Sequence, residues 1–303
     1  MANRFASSRR SGRVFVVLAA LVLVAGLSTL LIRRSTEPGT GMPAGETTIA
    51  FLDVGQALAV AVVTADGHSL LFDAGNSADD AEQAVLPFLR EHGVDRLDYL
   101  VLSHPHQDHV GGMPAVLDAL PVGTFVDPVI PTTNQTYRRT LELVDQQGIQ
   151  PLRARRGDTL DLGTATAEIL WPGDSPIIDG SGEMDPNSNG TVLRVITGNV
   201  AVLLTGDLEA PGEAALVAAG VDDLRADVLQ VGHHGSRTSS TPTFLDAVRP
   251  QVGIISVGAG NSYGHPHNEV VRRLRDNGVE TYRTDVDGTI QVVTDGSDYE
   301  IRK

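Results

Sequence analysis

Apolar residues recur along this chain in short runs divided by polar turns, and between the runs lie stretches with the spacing of an amphipathic helix. The runs 49–54 and 58–64 read as adjacent strands, with 69–72 next, and Leu100-Val101-Leu102 as a buried strand. Helical spacing predicts helices over 81–92, 113–120 and 137–147, while 159–170 reads as β-hairpin material. The runs 192–196 and 201–204 flank Gly198-Asn199, a dipeptide suited to a tight hairpin turn. Two further helices are predicted over 211–219 and 242–248, then a strand over 253–257, a last helix over 268–277 and a last strand over 289–293. Strand runs in both halves, each followed by helices, predict an α/β fold in which two sheets pack together under helices. From Thr48 to the end there are about 255 residues, which suits one domain of that kind.

The first 47 residues follow a different rule. Val14 to Ile32 carries no charge over its 19 residues, about 28 Å as a helix and enough to cross a bilayer core. Arg4, Arg9, Arg10 and Arg13 precede it and only Arg33 and Arg34 follow, which favours a cytoplasmic N-terminus. The reading is a basic cytoplasmic segment 1–13, a single transmembrane helix 14–32, a Pro/Gly/Thr-rich linker 33–47 and a folded domain 48–303. That places the domain outside the cytoplasm, at the cell membrane. A cleaved signal peptide is the alternative, but no small-x-small site directly follows the run.

Composition narrows the chemistry. The chain has no cysteine, so it has neither disulfides nor a thiolate metal site. Six arginines and one glutamate fall within residues 1–37, leaving 17 basic against 37 acidic residues beyond, a net of −20. A domain of that charge does not hold nucleic acid by bulk electrostatics. Any such contact is local, with Arg138, Arg139, Arg153, Arg155 and Arg156 as candidates.

Histidine supplies the strongest signal. His104-Pro105-His106-Gln107-Asp108-His109 gathers four side chains able to ligate a metal into six residues, directly after an apolar run. A strand sends successive side chains to opposite faces, so only a turn at a strand end aims all four at one point. Imidazoles with a carboxylate suit Zn²⁺, Mn²⁺ or Fe²⁺ rather than Ca²⁺, and the donors exceed what one tetrahedral ion needs, which points to two. Further donors lie at comparable strand ends: Asp207 after Val202–Leu204, His233 and His234 after 227–231, and His265 and His267 in a third turn. Asp207 could instead cap a helix, and His233-His234 could be a hydrogen-bonding pair. Ser236-Arg237-Thr238-Ser239-Ser240 could bind phosphate, or cap the helix that Pro242 opens.

These motifs together resemble the metallo-β-lactamase fold superfamily, and within it the branch typified by the hydrolase domain of the competence protein ComEC. The resemblance runs in unbroken order over about residues 48 to 295, through Phe51-Leu52-Asp53-Val54-Gly55-Gln56, Asp73-Ala74-Gly75, Thr205-Gly206-Asp207 with Glu213, His233-His234-Gly235-Ser236, Asn261 to Pro266, and Thr284 to Gly288. It implies an αββα sandwich holding two divalent ions, Zn or Mn. His104, His106 and His233 would hold one ion, Asp108 and His109 the other, and Asp207 would bridge them. The same analogy gives Asp108, His234 and His265 catalytic parts, His234 or His265 protonating the leaving oxygen or steadying the oxyanion, and has Asp73 orienting a ligand imidazole.

The implied activity is hydrolysis of a phosphodiester, DNA among them, by a metal-bound hydroxide. Hydrolysis of another ester, lactone or amide is the alternative, as is a non-catalytic metal- or DNA-binding module. No protein partner is identifiable. Two departures qualify the match. Gly55-Gln56-Ala57-Leu58 stands where the branch usually has Gly-Gln-Gly-Asp, and Asn189 lies where the wider superfamily places a metal-binding histidine.

Overall fold

Every residue of the strand Thr47–Phe51 is buried, and its side chains alternate between two cores. Ile49 and Phe51 join the apolar layer between the sheets, while Ala50 packs with Val85, Leu89, Val116 and Leu117 from helices. The strand Val200–Leu204 repeats this on the other side, with Val202 and Leu204 inward and Ala201 and Leu203 against Leu216, Leu245 and Val270. Because both faces of such strands are covered, they read in the sequence as continuous apolar runs rather than alternating ones.

The structure is a computed structural model describing residues 45–220 and 224–303. Its strands are β1 (Thr47–Phe51), β2 (Val60–Val63), β3 (Ser69–Phe72), β4 (Leu97–Val101), β5 (Val122–Asp127), β6 (Gln150–Arg153), β7 (Thr159–Leu162), β8 (Ala165–Trp171), β9 (Val192–Thr197), β10 (Val200–Leu204), β11 (Val228–Gln230), β12 (Val252–Ile255), β13 (Glu280–Arg283), β14 (Ile290–Thr294) and β15 (Tyr299–Arg302). One sheet has the order β15-β14-β1-β2-β3-β4-β5-β6 and the other β13-β12-β11-β10-β9-β8-β7. Helices cover the outer face of each, so the layers are α, β, β, α. Strands β3 to β6 run parallel in the first sheet, as do β10 to β13 in the second.

The last predicted strand is not the last in the chain: β15 follows it and pairs antiparallel with β14. β1 opens at Thr47, two residues earlier than expected, and ends at Phe51. The helix expected over 81–92 starts at Ala78, where Ser77 accepts the amide of Asp80, and passes through a π turn at Ala81–Val85. The transmembrane helix read over 14–32, the basic segment before it and the linker up to residue 44 lie outside the described residues. Among the described residues no helix is long and apolar enough to cross a membrane.

Candidate metal centre

The carboxyl ends of β3 and β4 in one sheet and of β10, β11 and β12 in the other deliver their side chains to a common point, the usual location of chemistry in parallel α/β sheets. Asp73 leaves β3 in the left-handed region, at φ 58°, a conformation that aspartate tolerates better than most residues. His104 follows β4, and His106 sits at the N-terminal boundary of the short helix Gln107–Val110, which carries Asp108 and His109. The turn that the histidine spacing requires is therefore a strand end passing into a helix. Gly111 is needed behind it, since a Cβ there would lie 2.0 Å from the backbone of Asn76. Asp207 leaves β10 after Gly206, whose φ of 55° and close approach to Ser103 exclude a side chain. The helix Ala210–Ala218 has Glu209 at its N-cap position, so Asp207 does not cap it.

Asp207 is buried, and its two oxygens face different donor groups. Oδ1 lies 3.2 Å from His109 Nε2 and 3.6 Å from His234 Nε2. Oδ2 lies 3.5 Å from His233 Nε2 and 3.9 Å from His104 Nε2, and His104 Nε2 is 2.9 Å from His106 Nδ1. Asp108 reaches the first group, with Oδ2 3.4 Å from His234 Nε2 and Oδ1 3.9 Å from His109 Nε2. Asp108, His109, Asp207 and His234 each offer an atom, all within 4.8 Å of one another. Three of these atoms, His109 Nε2, Asp207 Oδ1 and His234 Nε2, are buried without a hydrogen-bond partner. A buried polar atom left so costs about 1–3 kcal/mol, and three converging on one point fit a divalent cation.

The outward nitrogens are fixed by acceptors. Asp73 Oδ2 accepts from His109 Nδ1 at 2.7 Å and from Ser103 Oγ at 2.6 Å, and Oδ1 accepts the Ser103 amide. Ser103 Oγ stands 3.0 Å from His104 Nδ1, so the hydroxyl accepts from that ring while donating to Asp73. His234 Nδ1 donates to the Ser256 carbonyl at 2.8 Å. A carboxylate or carbonyl can only accept, so these rings carry their proton on Nδ1 and turn a lone pair on Nε2 inward. Burial disfavours charge on His109, yet Asp207, Asp73 and Asp108 outweigh it and raise its pKa well above the imidazole range, so a cation entering here would take the place of a proton on Nε2. Burial would raise Asp207, but His109, His234 and His233 hold it well below the carboxylate range. His104, buried beside His109, is pushed well down.

The resemblance makes His233 the ligand and His234 the proton donor, but the structure brings His234 rather than His233 into the four-donor cluster. His234 is buried in the donor group of Asp108 and His109, whereas His233 is partly exposed and shares Nδ1 with Glu209 Oε1 at 3.0 Å. His265 stands outside both groups, its ring 5.7 Å from His233 and 6.5 Å from His234. Burial and the neighbouring His233 and His267 push its pKa down to about 4, so it is neutral near pH 7. With Nδ1 3.5 Å from the Gln56 side-chain nitrogen, it carries its hydrogen on Nε2.

Asn189, in the place of the superfamily's histidine, turns away. Its Oδ1 accepts the Ile177 amide and its Nδ2 donates to the carbonyls of Ile177 and Asp185. Leu58, in place of the branch's Asp, is buried between the sheets, and its backbone binds the Asp108 carbonyl and the Gly75 amide. The Ser236–Ser240 stretch is tied down as structure. Glu213 accepts the amides of Ser240 and Thr241, Arg273 donates to the carbonyls of Ser239 and Ser240, and Thr241 caps the helix Pro242–Val248. Of the candidate arginines, Arg139 pairs with Glu142 and Arg156 donates to the Ala219 carbonyl. Ser103 and Glu209 escaped the sequence reading, though Ser103 adjoins His104 and Glu209 lies two residues beyond Asp207.

Comparison with known proteins agrees with this geometry. Residues 52–259 match the family model of the metallo-beta-lactamase superfamily. The chain is 38% identical over 250 residues to the competence protein ComA of Neisseria gonorrhoeae, covering 82% of this chain and 33% of that one. It is 33% identical over 210 residues to the ComE operon protein 3 of Bacillus subtilis, covering 69% of this chain and 26% of that protein. The chain thus spans a third or less of these relatives. Among solved structures, CmlA, a diiron beta-hydroxylase from Streptomyces venezuelae, superimposes with a TM-score of 0.52 at 16% identity, covering 82% of this chain and 54% of that one. That is a likeness of fold.

Proposed function

The chain belongs to the metallo-beta-lactamase superfamily of hydrolases, and we propose that it hydrolyses phosphodiesters with two divalent cations. The observation that carries this is Asp207, buried, with one oxygen towards His109 and His234 and the other towards His104 and His233. Asp108, His109, His234 and Asp207 Oδ1 would hold one ion, and His104, His106 and Asp207 Oδ2, with His233 beside them, the other. Zn²⁺ or Mn²⁺ there supplies Lewis acidity towards a bound phosphate and lowers the pKa of water. The residues around them do the rest. Asp73, directly for His109 and through Ser103 for His104, and the Ser256 carbonyl for His234 hold three rings in the ligating tautomer, and neutral His265 offers a hydrogen bond to an oxygen on the substrate. The competence relatives make DNA the first substrate to try.

The test is metal analysis of the domain beginning at residue 45, together with turnover of bis(p-nitrophenyl) phosphate, a lactone and a carboxylic ester. About two ions per chain are expected, with phosphodiester turnover lost on chelation and restored by Zn²⁺ or Mn²⁺. Turnover of the lactone or ester alone, or phosphodiester turnover that survives complete stripping, overturns the reading.

We further propose that residues 14–32 anchor this domain at the outer face of the cell membrane, from their length and the flanking arginines. The full chain should fractionate with membranes and lose its domain to protease added outside intact cells. A wholly soluble product refutes the anchor.

A further inference from the structure

Tyr263 is the one aromatic among the large hydrophobic side chains that stand in solvent in the described residues, at 67% exposure. Its ring lies 5.7 Å from that of His265 at an interplanar angle of 25°, and His265 lies 6.5 Å from His234 at 24°. Tyr263, His265 and His234 thus follow one another from solvent towards the candidate metal centre, each ring tilted about 25° from the next. The loop that displays Tyr263 is held by one side chain. Asn261 Oδ1 accepts the amides of Tyr263 and His265, and its Nδ2 donates to the carbonyls of Gly258 and His265. An apolar ring kept in water forgoes burial free energy, and a loop bonded at both ends holds it there at little entropic cost to a ligand.

We infer that Tyr263 is the stacking platform for a nucleobase flanking the scissile phosphodiester, an inference that rests on the proposed phosphodiesterase activity. A nucleobase is the flat π surface that a phosphodiester substrate brings to within reach of such a centre, and stacking on an aromatic ring does not depend on which base it is. The charge of the domain points the same way. With 17 basic against 37 acidic residues beyond residue 37, contacts to phosphate are few, and affinity must come from the cations and from stacking. One local cation is at hand: Arg237 is exposed, and its amide donates to Nδ1 of His267, whose ring is 4.8 Å from His265. Bases paired in a duplex have no free face, so the platform selects unpaired nucleotides.

The metal-loaded protein is titrated with a fluorescent, phosphorothioate-linked oligothymidylate and with an abasic oligomer of the same length. Tyr263→Ala should weaken oligothymidylate binding about tenfold, the loss of one base–aromatic stack, while Tyr263→Phe keeps it. The abasic oligomer should bind the wild type as weakly as the oligothymidylate binds Tyr263→Ala. For thymidine 5′-(p-nitrophenyl) phosphate, the Ala variant should lose in KM rather than kcat. Equal binding by wild type and Tyr263→Ala, a Phe variant as poor as Ala, or no binding by the wild type overturns the inference. Turnover of bis(p-nitrophenyl) phosphate by the wild type is read in parallel. Its absence sinks the phosphodiesterase reading, and Tyr263-dependent binding would still establish the base site.

Discussion

Asp207→Asn should cost the protein at least one of its two cations and on the order of a hundredfold or more of its turnover, since the metals supply the activated nucleophile. The substitution keeps the shape of the side chain. What it removes is one negative charge, buried at the point where Oδ1 faces His109 and His234 and Oδ2 faces His104 and His233. Two dications a few ångströms apart repel, and in a buried setting that repulsion is screened far less than in water. A neutral amide leaves it uncompensated. Asn189→Ala is the contrast. It deletes three hydrogen bonds to the backbone of Ile177 and Asp185, so it should lower stability by about 1–3 kcal/mol and leave the metal content intact. Metal analysis, initial rates and a denaturant melt on both variants decide the matter. Two ions and near-wild-type turnover in Asp207→Asn would end the bridged-pair arrangement.

The legible parts of this chain are those where one physical demand dominates. Strands covered on both faces, such as β1 and β10, must be apolar throughout, and they stand out as runs. The His104 to His109 cluster stands out because no packing role calls for three histidines and an aspartate in six residues. Strands β6, β13 and β15 were not legible. Their residues are largely exposed or half-exposed, so only pairing with a neighbour makes them strands. Gly123 and Thr124 interrupt β5 with half-buried residues in the same way. Around the site, the sequence shows which donors exist but not which way each faces. Asn189 aligned with a ligand position and is spent on a loop. Asp73 read as an orienting carboxylate, but its partner, His109, could only be found in three dimensions. Glu209 lies two residues beyond Asp207 and gives no sequence signal, since a lone glutamate near a helix start is commonplace.

The adjacent histidines show this limit most sharply, and they give the last expectation. His233 and His234 are both left-handed, at φ 50° and 52°, so replacing either with alanine meets the same backbone strain and the two variants compare fairly. Their surroundings differ. His234 is buried, donates from Nδ1 to the Ser256 carbonyl, and points an unpartnered Nε2 at Asp108 and Asp207. His233 is a quarter exposed, shares Nδ1 with Glu209, and stands on the Oδ2 side of Asp207 with His104. His234→Ala should therefore remove a full ligand from the enclosed ion. Stoichiometry should fall from about two to about one per chain, with turnover down on the order of a hundredfold or more. His233→Ala should keep that ion at full affinity and weaken only the other, which Asn189 already leaves short of a protein ligand. The second ion would then titrate in at higher free metal concentration, and excess Zn²⁺ or Mn²⁺ should restore much of the rate. Restoration by excess metal separates the two positions, because a weakened site can be refilled by mass action whereas the loss of His234 leaves the enclosed ion only Asp108, His109 and the shared Asp207 oxygen. If His233→Ala loses the tight ion and His234→Ala keeps both, the two histidines have exchanged roles and the enclosed site is built around the wrong residue.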